Sequence, residues 1–262
     1  MKMSCFDPHH MKKILLYCLV VASLVSCASR KKVVYMQNID QTKSYDSSTL
    51  YEPKLQPDDL LSIIVSAENP ELTVPFNLPQ IQGNYEINNN QNGIKTYLID
   101  NYGFIEFPVI GKMKLGGLTR TEATEKLVKA VSEYIKDPIV NLRILNFKVS
   151  VLGEVVKPSS FTLASERITL LEAISLAGDL TIHGKRDNIL IIREADGKKT
   201  YNRIDITQAD FLNSPFYYLA QNDVVVVEPN KTRINASAVG PNVTATISAV
   251  SVLVTLLVVL LR

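Results

Sequence analysis

The stretch "YLIDNYGFIEFPVIGKMKLGGLTRTEA", residues 97–123, decides the fold of the first half of the chain. Residues 97–100 and 104–107 are short segments of mostly apolar or aromatic residues, which is typical of strands. They flank "DNYG", a turn sequence in which Gly103 is free to adopt a positive φ. The stretch therefore predicts a β-hairpin of these two segments, followed by a helix.

The helix is marked by a capping box at Thr119 and Glu122, in which each side chain bonds the backbone amide of the other. Asp137-Pro138 ends it. The residues that recur at helical spacing are Ala123, Leu127, Ala130, Val131 and Tyr134. The segment "ITLLEA" (168–173) repeats the pattern of "LTRTEA" (118–123), so a second capped helix is predicted, with Gly178 at its C-terminal end.

Strands surround both predicted helices. Residues 60–65 form a strand after the turn at Pro57-Asp58-Asp59, and residues 139–151 predict one long strand that links two domains. "VLGEVVKPSSF" (151–161) predicts strand, turn and strand. Three further strands are predicted at residues 188–193, 201–206 and 224–228. The fold class is therefore α+β, with two small β-rich domains.

The N-terminus is typical of a secretory signal peptide. Lys12 and Lys13 precede an apolar core at residues 14–25, which is too short to span a bilayer comfortably. "LVSC" (24–27) resembles a bacterial lipobox, which implies cleavage before Cys27 and acylation of that cysteine. The alternative is an uncleaved N-terminal anchor with an incidental cysteine. The residues before Met11 read as an upstream choice of start codon.

At the other end, residues 245–261 contain no charged side chain. A helix of that length measures about 26 Å, slightly less than the hydrocarbon core of a bilayer, and we expect a C-terminal transmembrane helix. Ser248, Ser251 and Thr255 share one face, which favours helix–helix contact in lipid. They are candidates to line a membrane pore. The alternative is a plain tail anchor whose hydroxyls bond their own backbone.

Composition excludes several classes of chemistry. Cys27 is the one cysteine of the expected mature chain, and His183 is its one histidine, so thiolate or imidazole metal sites and nucleophiles are not expected. We expect no metal, no cofactor and no catalytic residues. The net charge of +2 is too small to indicate a basic surface that binds nucleic acid. The chain has 11 Tyr and no Trp, so any contact with glycan is expected to be weak or to use Tyr.

Two charged clusters have simpler interpretations than a site. Asp58 and Asp59 are adjacent, so their side chains point apart, and a solvated turn is favoured over an acid–base pair. Residues 185–193 contain Lys185, Arg186, Asp187 and Arg193. A surface ion-pair cluster is favoured there over a basic patch for phosphate-linked glycan.

Five segments together resemble the Wza-type outer-membrane polysaccharide export proteins, in the Bacteroidetes branch. The first three are residues 97–123, "DPIVNLRIL" (137–145) and "VSVLGEVVKPSSF" (149–161). The others are "LLEAISLAGDL" (170–180) and "NDVVVVEP" (222–229). The resemblance implies a polysaccharide export domain followed by an SLBB domain of β-grasp type. The chain departs from the family at Asp58, Ser159 and Asp179, where glycine is common.

The resemblance implies a lipoprotein held at the outer membrane by Cys27, with most of the chain in the periplasm. It implies a homo-oligomeric ring, often an octamer, whose C-terminal helices cross the membrane and pass capsule or exopolysaccharide. The implied partners are further copies of the chain, membrane lipid, the polysaccharide, and an inner-membrane polysaccharide co-polymerase, usually a tyrosine-kinase-linked chain-length regulator. No catalytic residue, cofactor or nucleic acid is implied.

The predicted organisation follows from these observations. The segments are a signal peptide (1–26), a tether (27–50), an export domain (51–146), an SLBB domain (147–230), a linker (231–244) and a transmembrane helix (245–261). The predicted function is a non-catalytic channel for polysaccharide. One alternative is a tail-anchored periplasmic scaffold or glycan-binding lipoprotein, and another is a lipid-anchored hydrolase.

Overall fold

The computed structural model describes residues 33–41, 51–78, 96–195, 197–238 and 241–260. Within these ranges the chain forms two β-rich units followed by two helices. The strands are β1 Leu60–Ser66, β2 Tyr97–Leu98, β3 Phe104–Phe107, β4 Gly111–Lys114, β5 Ile139–Ile144, β6 Lys148–Gly153, β7 Ser159–Thr162, β8 Ile168–Thr169, β9 Gly184–Ala195, β10 Lys198–Ile204, β11 Tyr218–Leu219 and β12 Val224–Pro229. The α-helices are α1 Arg120–Val131, α2 Leu170–Leu176, α3 Lys231–Ala238 and α4 Pro241–Leu260.

The first unit is built on a three-stranded antiparallel sheet in the order β2–β1–β5. Alternate residues of β1 point into the core because successive side chains of a strand face opposite sides. The buried residues face one another across the ladder: Leu61 opposite Ile144, Ile63 opposite Leu142 and Val65 opposite Val140. Helix α1 packs beside β5 and buries Ala123, Leu127 and Val131.

The predicted hairpin has the right turn but the wrong strand pairing. Asp100 Oδ1 accepts from the amides of Tyr102 (2.9 Å) and Phe104 (2.8 Å), and Gly103 has φ of 85°. However, β2 pairs with β1, while β3 forms its own hairpin with β4. The turn was predictable because it depends only on neighbouring residues. The strand pairing was not predictable, because β1, which is distant in sequence, pairs with β2 in place of β3.

Both capping boxes are confirmed. The Thr119 amide donates to Glu122 Oε2 (2.8 Å), and the Glu122 amide donates to Thr119 Oγ1 (3.2 Å). Thr169 and Glu172 repeat the arrangement at 2.7 and 3.2 Å, at the start of α2. Each box satisfies two amides that the first helical turn would otherwise leave without a partner.

The second unit is a five-stranded sheet in the order β10–β9–β12–β6–β7. Strands β6 and β12 are parallel, and the other pairs are antiparallel. Helix α2 buries Leu170, Ala173 and Ile174, and Gly178 follows it at φ of 76°. The three strands predicted in this region are confirmed, although β9 begins earlier, at Gly184. The observed architecture is therefore mixed α and β with two β-rich units.

The single long strand predicted over residues 139–151 is wrong. It is two strands, β5 and β6, which belong to different sheets and are separated by Leu145, Asn146 and Phe147. Phe147 is fully buried, and Asn146 forms hydrogen bonds to both units. The chain therefore changes direction at these residues, between the first unit and the second. The buried positions change from even numbers (140, 142, 144) to odd numbers (147, 149, 151) across this break, and that change of phase was the signal that the prediction missed.

Part of the predicted tether is ordered against the second unit. The amides of Met36 and Gln37 donate to the carbonyls of Ile206 (3.1 Å) and Thr207 (2.8 Å). The Tyr35 hydroxyl donates to Asp179. Residues 33–41 therefore pack on the second unit before the chain enters the first. The signal peptide and Cys27 lie outside the described residues.

The expected C-terminal transmembrane helix is not supported. Over the ranges that the structure covers, α4 included, no helix has both the length and the hydropathy that crossing a membrane requires.

Candidate functional site

The predicted pore-lining residues lie on α4, where the hydroxyls bond within the helix. Ser251 Oγ donates to the Ser248 carbonyl (2.8 Å), and Thr255 Oγ1 donates to the Ser251 carbonyl (2.8 Å). All three residues are exposed and share one face, as the spacing predicts. Cys27, the predicted lipidation site, lies outside the described residues.

The apolar side chains of α4 are also exposed. Ile247, Leu253 and Val259 are each more than 60% exposed, although they are at different angles around the helix. Helices that are apolar on all sides are normally buried by other protein or by lipid. An exposed apolar surface of this kind marks a place where the chain meets something else.

The two units are joined by a polar junction centred on Asn146. Its Oδ1 accepts from the Leu60 amide (2.9 Å), and its Nδ2 donates to the Asp58 carbonyl (2.8 Å). Its own carbonyl accepts from Gln221 Nε2 (2.9 Å), and Gln221 Oε1 accepts from the Lys148 amide (2.7 Å). One asparagine and one glutamine therefore satisfy backbone groups of both units and fix their relative orientation. No sequence pattern singles out either residue.

Asp59 lies beside this junction, and the expectation of a solvated turn is wrong for it. Its side chain is fully buried, because β1 draws the preceding turn into the core. Oδ2 accepts from the Gln56 amide (2.8 Å), whereas Oδ1 has no hydrogen-bond partner among the described residues. Burial raises the pKa of Asp59 to about 6, since the charged form loses its hydration.

Asp59→Asn is expected to stabilise the protein near neutral pH. The folded-state pKa of about 6 exceeds the ordinary value of 3.8, so wild-type stability falls as pH rises through this interval. At pH 7.5 the free energy of unfolding of the variant should exceed that of the wild type by about 2–3 kcal/mol. At pH 4 this difference in stability should largely vanish. Denaturant unfolding at both pH values measures it.

Asp58→Asn is the matched control, since Asp58 is exposed and its left-handed backbone (φ of 68°) suits Asn. It should leave stability unchanged at both pH values. An equal gain from Asp59→Asn at pH 7.5 and pH 4 would contradict a cost of burying charge.

The cluster at residues 185–193 is neither a basic patch nor purely a surface network. Arg186 is 5% exposed and donates to the carbonyls of Leu180, Thr181 and Gly184. Lys185 does form the expected ion pair, with Glu228 at 3.0 Å. Arg186 is therefore committed to holding the loop before β9.

Arg193 is committed in the same way, to a bidentate pair with Asp223. The Arg193 Nε atom lies 3.0 Å from Asp223 Oδ1, and the Arg193 Nη2 atom lies 2.7 Å from Asp223 Oδ2. The Asp223 side chain is fully buried. Burial raises the pKa of Asp223 above its ordinary value, and the bonds from Arg193 offset this only in part. This pair was not predicted, although the polar "ND" before "VVVV" was a visible signal for it.

A cleft opens between the two units, and we call it the interdomain cleft. Its volume is about 710 Å³. The first unit contributes Lys54–Asp58, the turn Asn101–Gly103, and Lys114 with Gly116 and Gly117. The second unit contributes Glu194, Ala195 and Gly197 at the β9–β10 turn, together with Asn222. Because its walls come from both units, the junction at Asn146 determines its shape.

The described residues contain no group of three or more His, Cys, Asp or Glu side chains placed to hold a metal ion. His183 sits in the turn before β9, where its amide donates to Thr181 Oγ1 (3.1 Å). His183 is therefore a loop residue, as the sequence predicts.

Two of the three departures from the family pattern, those at Asp58 and Asp179, have a backbone explanation. Asp58 has φ of 68° and Asp179 has φ of 74°, so both adopt the left-handed conformation that glycine tolerates best. Aspartate is one of the few other residues that adopt it readily, because its side chain bonds the nearby backbone. At Asp179 the Oδ1 atom accepts from the Leu180 amide. The fold is therefore retained at both positions without glycine.

Comparison with known proteins gives each unit a family. Residues 47–145 match the family of polysaccharide biosynthesis/export proteins, and residues 147–227 match the SLBB domain. The two matches meet at Asn146, the residue at the centre of the junction.

Two curated relatives carry the same description. The EPS I polysaccharide export outer membrane protein EpsA of Ralstonia solanacearum is 28% identical over 201 residues, which cover 74% of this chain and 52% of the relative. EpsA of Ralstonia nicotianae is 30% identical over 141 residues, which cover 52% of this chain and 37% of the relative. The chain thus spans about half the length of these relatives, or less.

The resemblance to Wza-type proteins is confirmed, while the Bacteroidetes origin stays a prediction. The matched family consists of export proteins and not of enzymes. Residues 47–145 thus carry a domain of the polysaccharide biosynthesis/export family, and an SLBB domain follows it at residues 147–227.

Proposed function

We propose that this protein exports a capsular or extracellular polysaccharide across the outer membrane without catalysing a reaction. The observation that carries the proposal is the pairing of an export domain with an SLBB domain in one folded body. The curated relatives, which are named as polysaccharide export outer membrane proteins, support the same step and the same membrane.

Lipidation of Cys27 would hold the chain at that membrane, with its two units in the periplasm. The lipobox resemblance at residues 24–27 supports this part of the proposal. Two or more acyl chains give stable attachment, because each buried methylene contributes about 0.8 kcal/mol.

Assembly into a ring is the second part of the proposal, and α4 supports it. The exposed apolar side chains of α4 would be shielded from water by contact with another apolar surface. The α4 helices of neighbouring copies of the chain provide such a surface. The small face of Ser248, Ser251 and Thr255 would allow close approach between neighbouring helices, because hydroxyls bonded within their own helix need no outside partner. An inner-membrane co-polymerase would deliver the polymer to the ring.

A charge on α4 should therefore break the assembly. Leu253→Lys replaces a 62% exposed leucine, so the folded units should be unaffected. Mass measurement of the detergent-extracted particle should change from a multiple of the chain mass to a single copy. Ile234→Lys on α3, which is 51% exposed, is the matched control and should leave the mass unchanged. A single-copy mass for the wild-type chain would contradict the ring.

A scaffold or glycan-binding lipoprotein is the second candidate function. It is favoured by the hydroxyls of Ser251 and Thr255, which bond their own backbone as a simple anchor helix would have them. Deletion of the gene and its restoration in the polysaccharide-producing strain separate the two. An exporter predicts that surface polysaccharide disappears and then returns, whereas a scaffold predicts that some surface polysaccharide persists.

A further inference from the structure

The interdomain cleft has the size of a ligand site and a fixed shape. Pockets that hold small ligands measure roughly 300–1,000 Å³, and this cleft measures about 710 Å³. A Cβ added at Gly116 would lie 2.6 Å from the Gly103 Cα, so the backbone of the two turns is in direct contact there. The wall formed by the first unit therefore has little freedom to collapse into the space.

The lining combines polar side chains with apolar atoms, as the surface of a sugar does. Gln56, Asn101 and Asn222 place amide groups around the space, and each amide both donates and accepts hydrogen bonds. Among the described lining residues, Lys54 and Lys114 are basic, and Asp58 and Glu194 are acidic. Amides that both donate and accept hydrogen bonds, beside apolar atoms, match a ligand rich in hydroxyl groups.

One aromatic ring stands at the edge of this polar lining. Tyr102 is 79% exposed, the most exposed of the large hydrophobic side chains in the described ranges. Its backbone is held by Asp100, whose Oδ1 accepts from the amides of Tyr102 (2.9 Å) and Phe104 (2.8 Å). A fixed backbone with an exposed ring offers a flat apolar face whose hydroxyl stays in water. The C–H face of a sugar ring presents the complementary surface.

We propose that the interdomain cleft binds a short segment of polysaccharide, with Tyr102 stacked on one sugar and the amides of Gln56, Asn101 and Asn222 bonding its neighbours. The proposal rests on the proposed export function and adds the place where the polymer touches the protein. Contacts from both units would make binding depend on the orientation that Asn146 sets.

Photo-crosslinking in the polysaccharide-producing strain tests this whatever the chemical structure of the polymer. The full-length variant Tyr102→p-benzoylphenylalanine, irradiated in living cells, should give a high-mass adduct that stains for carbohydrate. Tyr201→p-benzoylphenylalanine is the control, since Tyr201 is 65% exposed on β10 and does not line the cleft. The yield at position 102 is expected to exceed the control at least fivefold.

Surface polysaccharide is measured in the same cells, so the inference and the proposed function can fail separately. Normal export with equal or absent adducts at both positions would overturn the cleft and leave the export function standing. Surface polysaccharide that does not depend on the gene would overturn the function itself. If the variant at 102 fails to accumulate, Glu194→p-benzoylphenylalanine places the probe at an exposed position of the wall formed by the second unit, with the same expected result.

Discussion

Gly153→Ala is expected to be the most damaging small substitution in the second unit. Gly153 ends β6 at φ of 92°, and a Cβ there would lie 2.1 Å from the Val227 carbonyl oxygen of β12. That oxygen is the acceptor for the Glu154 amide (2.9 Å), so it cannot move without loss of the bond. Backbone strain and the clash together should lower the free energy of unfolding by roughly 3–5 kcal/mol.

Gly197→Ala separates the two contributions. Gly197 lies in the same unit at φ of 70°, but an added Cβ there would meet nothing within 4 Å. It should cost only the backbone strain, about 1 kcal/mol. Denaturant unfolding of the purified full-length variants measures both. Equal losses at the two glycines would contradict the close contact between β6 and β12.

Asp223→Ala is expected to have the second largest effect, because it leaves the Arg193 guanidinium without its carboxylate. The Arg193 side chain is only 17% exposed, and its remaining polar partner is the Tyr218 carbonyl at 3.1 Å. Removal of one member of a buried ion pair typically costs about 3–5 kcal/mol. The loss should appear in the denaturant midpoint of the full-length protein.

The double variant Arg193→Met with Asp223→Asn should recover at least half of that loss. Asn retains an acceptor for the Ala220 amide, which Asp223 Oδ2 binds at 2.8 Å, and Met replaces the arginine stem without a charge. The raised pKa of Asp223 supports this, since burial outweighs the attraction of Arg193. Glu194→Ala, at an exposed pair with Lys199, is the control and should change stability by less than about 0.5 kcal/mol. Additive losses in the double variant would contradict the argument.

Local features were predictable from the sequence, and features assembled at a distance were not. Thr119 with Glu122 and Thr169 with Glu172 need only the geometry of one helical turn, and both boxes are present. Gly103 likewise identified its turn. The partner of β2 was missed because a strand of two residues can pair with either neighbour, and burial of Leu61 decides the competition.

The candidate site was less accessible to prediction for the same reason. Asp59 looked like part of a solvated turn, but β1, paired within its sheet, draws that turn into the core and buries the side chain. Tyr102 lies in a turn that was predicted correctly. Asn222, which faces it across the cleft, is brought there only by the folding of the second unit. Nothing in the local pattern of either residue reveals the space between them.

The location of the polymer in cells that lack this gene tests the central claim most directly. Cell-surface and periplasmic fractions of the polysaccharide-producing strain would be separated and their polysaccharide quantified before and after deletion. Export by this protein predicts continued synthesis, with polymer lost from the surface, retained inside the cell, and returned to the surface when the gene is restored. Unchanged surface polysaccharide in the deletion strain would contradict the account.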